Sequence, residues 1–331
     1  MQPKPHKPTF RIVANGDDIT AAIRERFVSL TITDEAGMQS DALTLTLADT
    51  PPHIKLPPTG AELRVWLGYE PSVRFMGLFV VDGITLSGPP GVMKITASGA
   101  PFEKSNTYTE LQTRRTRSWT PRTVGDLVRT VAAEHGLNPA VAEGVADLAL
   151  PHLDQVDESD INLLTRIAAD LGLVAKVGGG SLVLVKRGEG KTASGKDLPM
   201  ITLTPRDVSR WSVSISGRVN YRRVVATWRD VGAAQDMEES VGEGEPSFRI
   251  RHAFPTQESA KQAVRAKLES FQRGKRTLSL TLPGRPDLCA EGRLELAGFR
   301  SGLAETWGVS KAEHRLDGSG YLLEVEGEVM D

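Results

Sequence analysis

Apolar and polar residues alternate over roughly the first hundred positions. Leu43, Leu45 and Leu47 are separated by Thr44 and Thr46, Leu63, Val65 and Leu67 by Arg64 and Trp66, and Ile95 and Ala97 continue the pattern. A period of two puts one face of a strand in a core and the other toward water or a partner, so Thr9 to about Gly99 reads as strands. Asp34-Glu35-Ala36-Gly37 reads as a hairpin turn. Between residues 120 and 187 the period changes. Val124, Leu127, Val128, Val131 and Ala132 share one face of a helix that Thr120-Pro121 starts and Gly136 stops. A second helix carries Leu163, Leu164, Ile167, Ala168 and Leu171 and ends at Gly172, before a hairpin that turns at Gly178-Gly179-Gly180. From Ile201 alternation returns in ITLT, WSVSIS, VVATW, LSLTL, RLEL and YLLEVEGEV. One amphipathic helix, Thr256–Gln272, interrupts it with Ala260, Ala263, Val264, Leu268 and Phe271 on its face. The Gly-rich RGEGKTASGKDLP reads as a linker and the acidic, apolar-poor AAQDMEESVGEGEPS as a mobile loop. Residues 1–8, with three prolines, read as a flexible arm.

Two stretches repeat each other in spacing. Gly68 precedes Tyr69 as Gly298 precedes Phe299; Gly68 to Gly88 and Gly298 to Gly318 each span 20 residues. Leu86 stands two before Gly88, as Leu316 does before Gly318, and the strands that follow end at Gly99 and Gly327. One β-unit used twice, with a helical insert between the copies, accounts for this spacing.

Composition narrows the function classes. A chain of 331 residues has room for two or three domains. Its 40 Lys+Arg balance 42 Asp+Glu, so no net field pulls it to nucleic acid or to an anionic membrane. The N-terminus has no apolar signal-peptide core and no run approaches the ~20 apolar residues of a membrane span. Cys289 is the single cysteine, which excludes an intramolecular disulfide.

The candidate chemistry is sparse. Asp157, Glu158 and Asp160 crowd before the second helix. A glycosidase holds two carboxylates across its substrate, and these are too close in sequence to do so unless the backbone turns sharply. Ser159 or Asp160 as helix N-cap, with acids on the positive end of the helix dipole, is the plainer reading. GKTASGKD imitates a phosphate loop but carries Asp197 where the hydroxyl belongs and runs into Pro199 rather than a helix. RRTRSW, residues 114–119, is too short a basic run for a nucleic-acid patch and reads as a solvated strand or a subunit contact. The six histidines lack metal-ligand spacing, and neither a Gly-x-Ser-x-Gly elbow nor a partner motif for Cys289 is present. No enzyme, cofactor or metal is expected from these residues.

QVDESDINLLTRIAADLG is similar to the Q-x-x-E-S-D-x-x-F/L-L-x-R-x-A pattern of the late control protein D family, the baseplate hub proteins of contractile-tailed phages. Gln155, Glu158, Ser159, Asp160, Leu164, Arg166 and Ala168 hold its places. ITDEAGMQSDALTLTLAD, GAELRVWLGY, GLFVVDGI and TVGDLVRTVAAEHGL also resemble family segments, and the likeness runs over about residues 8–330 in order. It implies a β-rich α+β chain: an arm at 1–8, a tail-tube-like β-barrel at 9–115, a small helical LysM-like insert at 116–190, and a second barrel at 191–331 that includes the helix 256–272. It further implies a homotrimeric hub whose six barrels stack on the sixfold tail tube while its threefold symmetry seats a trimeric spike. Tape-measure and other baseplate proteins are further candidate partners, and the place of action is the tail baseplate, assembled in the bacterial host cytoplasm. Relatives in type VI secretion continue into a spike on the same chain; this sequence stops at Asp331, so a separate spike is expected. Gln155, Glu158, Ser159, Asp160 and Arg166 are expected to act structurally, at the helix start. The alternative is a tail-associated protein that binds or hydrolyses peptidoglycan, suggested by the LysM-like insert and the acids.

Overall fold

The computed structural model describes residues 7–330 apart from 38–40, 100–109, 121, 143, 151, 179–180, 187–199, 217–220, 231, 255 and 274–275. The linker and the phosphate-loop imitation therefore lie outside the described residues, as do residues 1–6 of the arm and two of the three hairpin glycines.

The first half contains β1 (Pro8–Ala14), β2 (Asp17–Asp18), the short helix α1 (Thr20–Arg24), β3 (Phe27–Glu35), β4 (Ala42–Ala48), β5 (Glu62–Tyr69), β6 (Ser72–Ser87) and β7 (Val92–Gly99). The insert follows as β8 (Arg114–Trp119), α2 (Val124–Glu134), β9 (Asn138–Val141), β10 (Leu153–Ser159), α3 (Asp160–Leu171), β11 (Leu173–Gly178) and β12 (Ser181–Lys186). Next come β13 (Met200–Leu203), β14 (Arg210–Ile215), β15 (Arg223–Asp230), β16 (Gln235–Gly242), β17 (Ser247–Phe254), α4 (Gln257–Arg273), β18 (Arg276–Pro283), β19 (Arg293–Leu296), β20 (Thr306–Asp317) and β21 (Gly320–Val329).

The alternating residues sort as the period requires. Leu43, Leu45 and Leu47 of β4 and Leu63, Val65 and Leu67 of β5 are buried, and each such side chain contributes about 1.5–3 kcal/mol by leaving water. They form one core with Leu30, Ile32, Phe79 and Met93. A second core gathers Leu203, Leu278, Leu280, Leu294, Trp307, Val309 and Leu323 from the last strands.

Backbone pairing repeats as well. In the first half the neighbours run β3-β4-β7-β6-β5-β1, and in the second β14-β18-β21-β20-β19-β13. Equivalent pairs run antiparallel in both halves except the last, where β5 and β1 are antiparallel and β19 and β13 parallel. The halves are not separate sheets. β20 pairs with β3 from Lys311↔Glu35 to Asp317↔Ser29, so one 13-stranded ladder crosses both. Among the described residues neither half closes on itself by backbone pairing: the path ends at β2 and at β14.

Among the described residues three more cores fall outside this repeat, the smallest of them Val174, Val183 and Val185 of the β11–β12 hairpin. The insert has its own, with Val124, Leu127, Val131, Leu163, Leu164 and Ile167 packed between α2 and α3. Helix α2 starts later than Thr120-Pro121: Thr123 and Asp126 form a reciprocal capping box that satisfies the first free amides. The third core lies under α4, where Ala260, Ala263 and Val264 cover Val224 and Ala226 of β15. Part of the acidic stretch expected to be a mobile loop is β16, paired along its length with β15. Its charged residues, unusual for a strand, face water, where Arg229 and Arg249 pair with Asp236 and Glu238.

Candidate functional site

The site is best built from β8 and β10, two antiparallel strands beneath the start of α3. A bulge between Gln155 and Glu158 takes Val156 and Asp157 out of register. Asp157 adopts φ 46, and Val156 is thrown out to solvent. The bulge turns the chain so that Gln155, Ser159 and Asp160 all point inward and are buried.

Ser159 is the N-cap of α3, its hydroxyl accepting from the Asn162 amide at 3.3 Å. Gln155 is fully satisfied. Its Oε1 accepts from Trp119 Nε1 at 2.8 Å and Arg117 Nε at 2.9 Å, and its Nε2 donates to the Glu158 carbonyl and to Asp160 Oδ1, both at 2.8 Å. Asp160 is the hub of the cluster. Oδ1 also accepts from Arg117 Nη2 at 2.7 Å, while Oδ2 lies 2.8 Å from His135 Nε2 and 3.9 Å from Arg115 Nε. Burial alone would raise this carboxyl, but hydrogen bonds from His135, Gln155 and Arg117, with the Arg117 charge, outweigh it and hold Asp160 below the usual carboxylate range. An ionised Oδ2 can only accept, so His135 donates to it from Nε2; among the described residues its buried Nδ1 has no hydrogen-bond partner. Arg117 also grips Glu134 at 2.8 and 3.0 Å and lies over the Trp119 ring at 3.9 Å. On the outer side Arg166 holds Glu158 with contacts of 2.8 and 3.2 Å.

The structure thus brings Gln155, Ser159 and Asp160 into one network and leaves Glu158 and Arg166 as a pair beside it. Arg115, Arg117 and Trp119 of RRTRSW and Glu134 and His135 of TVGDLVRTVAAEHGL join it, although neither stretch reads as a partner of the acids. RRTRSW is a half-exposed strand rather than an open basic patch: Arg114, Thr116 and Ser118 are exposed, while Arg115 and Arg117 are spent on carboxylates of the same chain. Glu134, His135 and Asp160 place possible ligand atoms within 4.8 Å of one another. A cation there would face Arg117, whose guanidinium already bridges Glu134 and Asp160 and supplies the positive charge. As a catalytic acid and base the arrangement is equally poor: Asp160 has no solvent-accessible face, and the carboxylate of Glu158 is clamped. What it can do is fix the start of α3, the end of α2 and two strands as one rigid block.

A second polar cluster ties that block to the sheet. Lys176 of β11 reaches Asp34 of β3 at 3.5 Å, and Asp34 Oδ2 accepts from the Ala290 amide at 2.8 Å. Glu291 accepts from the Gly37 amide at 3.1 Å. Three segments far apart in sequence meet here. Burial, then the neighbouring Asp34 charge, push Asp41 up to about 7, while Lys176 opposes the shift.

Comparison with known proteins gives the chain's family. Residues 109–320 match the model of the phage tail baseplate hub (GPD) family. A probable baseplate hub protein of Escherichia phage 186 is 32% identical over 97% of this chain and 93% of its own length. The chain belongs to the phage tail baseplate hub family. The probable hub protein of Escherichia phage P2 is 31% identical over the same shares. Among solved structures, the 43 kDa tail protein of prophage MuSo2 from Shewanella oneidensis has the same fold: TM-score 0.71 at 15% identity, over 97% of this chain and 98% of that one. An Escherichia coli component of the type VI secretion system superposes with TM-score 0.60 at 9% identity, over 98% of this chain and 77% of that one.

Proposed function

We propose that this chain is the structural hub of a contractile phage tail or tail-like particle, a homotrimer that adapts a sixfold tail tube to a threefold spike. The observation that carries the reading is the six-strand order β3-β4-β7-β6-β5-β1 occurring again as β14-β18-β21-β20-β19-β13. A chain with two like units occupies two of six positions in a ring, and three chains complete it. Each unit has its own core, which supports a tube-like barrel from residues 9–115 and another from 191–331, with the insert 116–190 as a rigid, LysM-like strut that binds no glycan. The role is assembly without catalysis, in the tail baseplate put together in the host cytoplasm. Its partners are the tube protein, a trimeric spike and neighbouring baseplate proteins. The buried, charge-compensated state of the Asp160 cluster supports a structural rather than a chemical use of the motif residues.

Light scattering on the purified chain, alone and with its tube and spike proteins, tests this. One chain weighs 35.8 kDa, so a trimer weighs about 107 kDa. A species of that mass, alone or with a partner, is the expected result. A chain that stays monomeric with both partners present refutes it.

A further inference from the structure

Among the described residues the duplicated strand order has one seam, β20 against β3, and the equivalent edges pair with no strand. Counted from the hairpins, Ser87↔Val92 and Leu86↔Met93 in the first half correspond to Asp317↔Gly320 and Leu316↔Tyr321 in the second. Thus Gly83, Ile84, Thr85 and Leu86 stand where Glu313, His314, Arg315 and Leu316 stand. Stepping across β4 and β18 in the same way, Thr31, Ile32 and Thr33 of β3 correspond to Arg210, Trp211 and Ser212 of β14.

Burial differs sharply between equivalents. At the seam, His314 and Leu316 are 0% and 5% exposed and Leu30 and Ile32 are 0% and 1%. At the matching positions Leu86 is 54% exposed and Trp211 41%, and Ile215, further along the same face of β14, is 67%. Among the described residues, β14 pairs with β18 alone, and β6 beyond its bulge at Asp82 pairs with β7 alone. Open, apolar edges of this kind are templates for adding a strand from another chain.

We propose that the edge Gly83–Ser87 of one copy pairs with β14 of the next copy in the register that joins β20 to β3 within the chain. The pairs are then Gly83↔Ser212, Ile84↔Trp211 and Thr85↔Arg210, and Leu86 enters the second-half core of its neighbour. This rests on the hub reading and deepens it by naming the two surfaces that meet. The occupant is a second copy because the chain already carries the template of the contact. Within one copy the two edges are seven steps apart along the ladder β14-β18-β21-β20-β3-β4-β7-β6. The contact is head-to-tail, so repeating it closes a ring or grows a filament, and three chains close the ring of six units.

Disulfide trapping tests the pairing. In a full-length Cys289→Ser chain, Thr85→Cys and Arg210→Cys replace two exposed side chains, and directly opposed strand positions lie within disulfide reach. The control pairs Thr85→Cys with Ser214→Cys, four residues along β14 and ~13 Å away. Mild oxidation should give a covalent three-chain band with the first pair and not with the control. If light scattering shows a trimer but the first pair does not cross-link, or cross-links no better than the control, these edges are the wrong surfaces and the hub reading survives. A disulfide confined to single chains also overturns the pairing. A monomer under every condition, with tube and spike proteins present, overturns both readings.

Discussion

Asp160→Ala separates a cap from a keystone. As a helix-start residue alone, Asp160 would be worth about 0.5–2 kcal/mol. The structure makes it the shared acceptor of Gln155 Nε2, Arg117 Nη2 and His135 Nε2, with no solvent to replace them. Arg117 keeps Glu134 and Gln155 after the change, but His135 loses the acceptor on its Nε2, and Gln155 Nε2 keeps only the Glu158 carbonyl. Removing one partner of a buried charged cluster costs about 3–5 kcal/mol. The cost falls on local opening of the insert, whose apolar core is separate from the two sheet cores. Hydrogen exchange read by mass spectrometry on peptides covering 153–171 should therefore accelerate roughly a hundred- to several-thousand-fold, at 1.4 kcal/mol per tenfold. Peptides of β4 should not change. Ser159→Ala, which removes one 3.3 Å cap bond, should accelerate the same peptides only about tenfold. If Asp160→Ala falls within a factor of two of Ser159→Ala, the network is not what holds α3, and the structural reading of the motif is wrong.

Two further outcomes are expected. Asp41, raised from 3.8 to about 7, favours its neutral form in the folded chain. Its contribution to stability is complete below about pH 4 and is lost as pH rises through about 7, so the melting temperature should fall over that window. Asp41→Asn should flatten that part of a scanning-calorimetry pH series, and a slope unchanged by the substitution would show that Asp41 does not carry the pH dependence. Leu164→Asp puts a charge at a fully buried position between α2 and α3. It should abolish soluble expression or lower the first melting transition by well over 10 °C, since a lone buried carboxylate costs several kcal/mol.

The sequence made the periodic elements legible because burial enforces them directly. Leu43, Leu45 and Leu47 need no context to be read as one face, and neither do Leu163, Leu164 and Ile167. The spacing of Gly68, Leu86 and Gly88 against Gly298, Leu316 and Gly318 marked the two hairpins β6–β7 and β20–β21, which are equivalent in the ladder. What stayed hidden depends on partners distant in sequence. Arg117 lies 43 residues from Asp160, and nothing local says that its guanidinium is spoken for. Arg115 and Arg117 stand two apart on a strand that ends in Trp119. That spacing was the one available hint that both arginines face the same side. The strand β16 was missed for a different reason. Its side chains carry almost no apolar signal, and backbone pairing with β15 together with cross-strand ion pairs supplies what burial supplies elsewhere.

The places where the two halves differ are as informative as the repeat. Between β3 and β4 the first half has a short hairpin; between the equivalent β14 and β18 the second half has β15, β16, β17 and α4. After β7 comes the insert with α2 and α3. These two additions meet. Gly172, the left-handed cap of α3 at φ 68, comes so close to α4 that a Cβ there would stand 2.7 Å from Ala266 Cβ. The side chains of Asp170 and His252 come within 3.9 Å of each other along the same groove, a cleft of about 670 Å³. Segments inserted at two separate points of the duplicated frame thus pack against each other as one body. In a trimer that body would occur three times beside six strand units. A sixfold face and a threefold face would then come from one chain, without either unit having to distort toward the symmetry of the other.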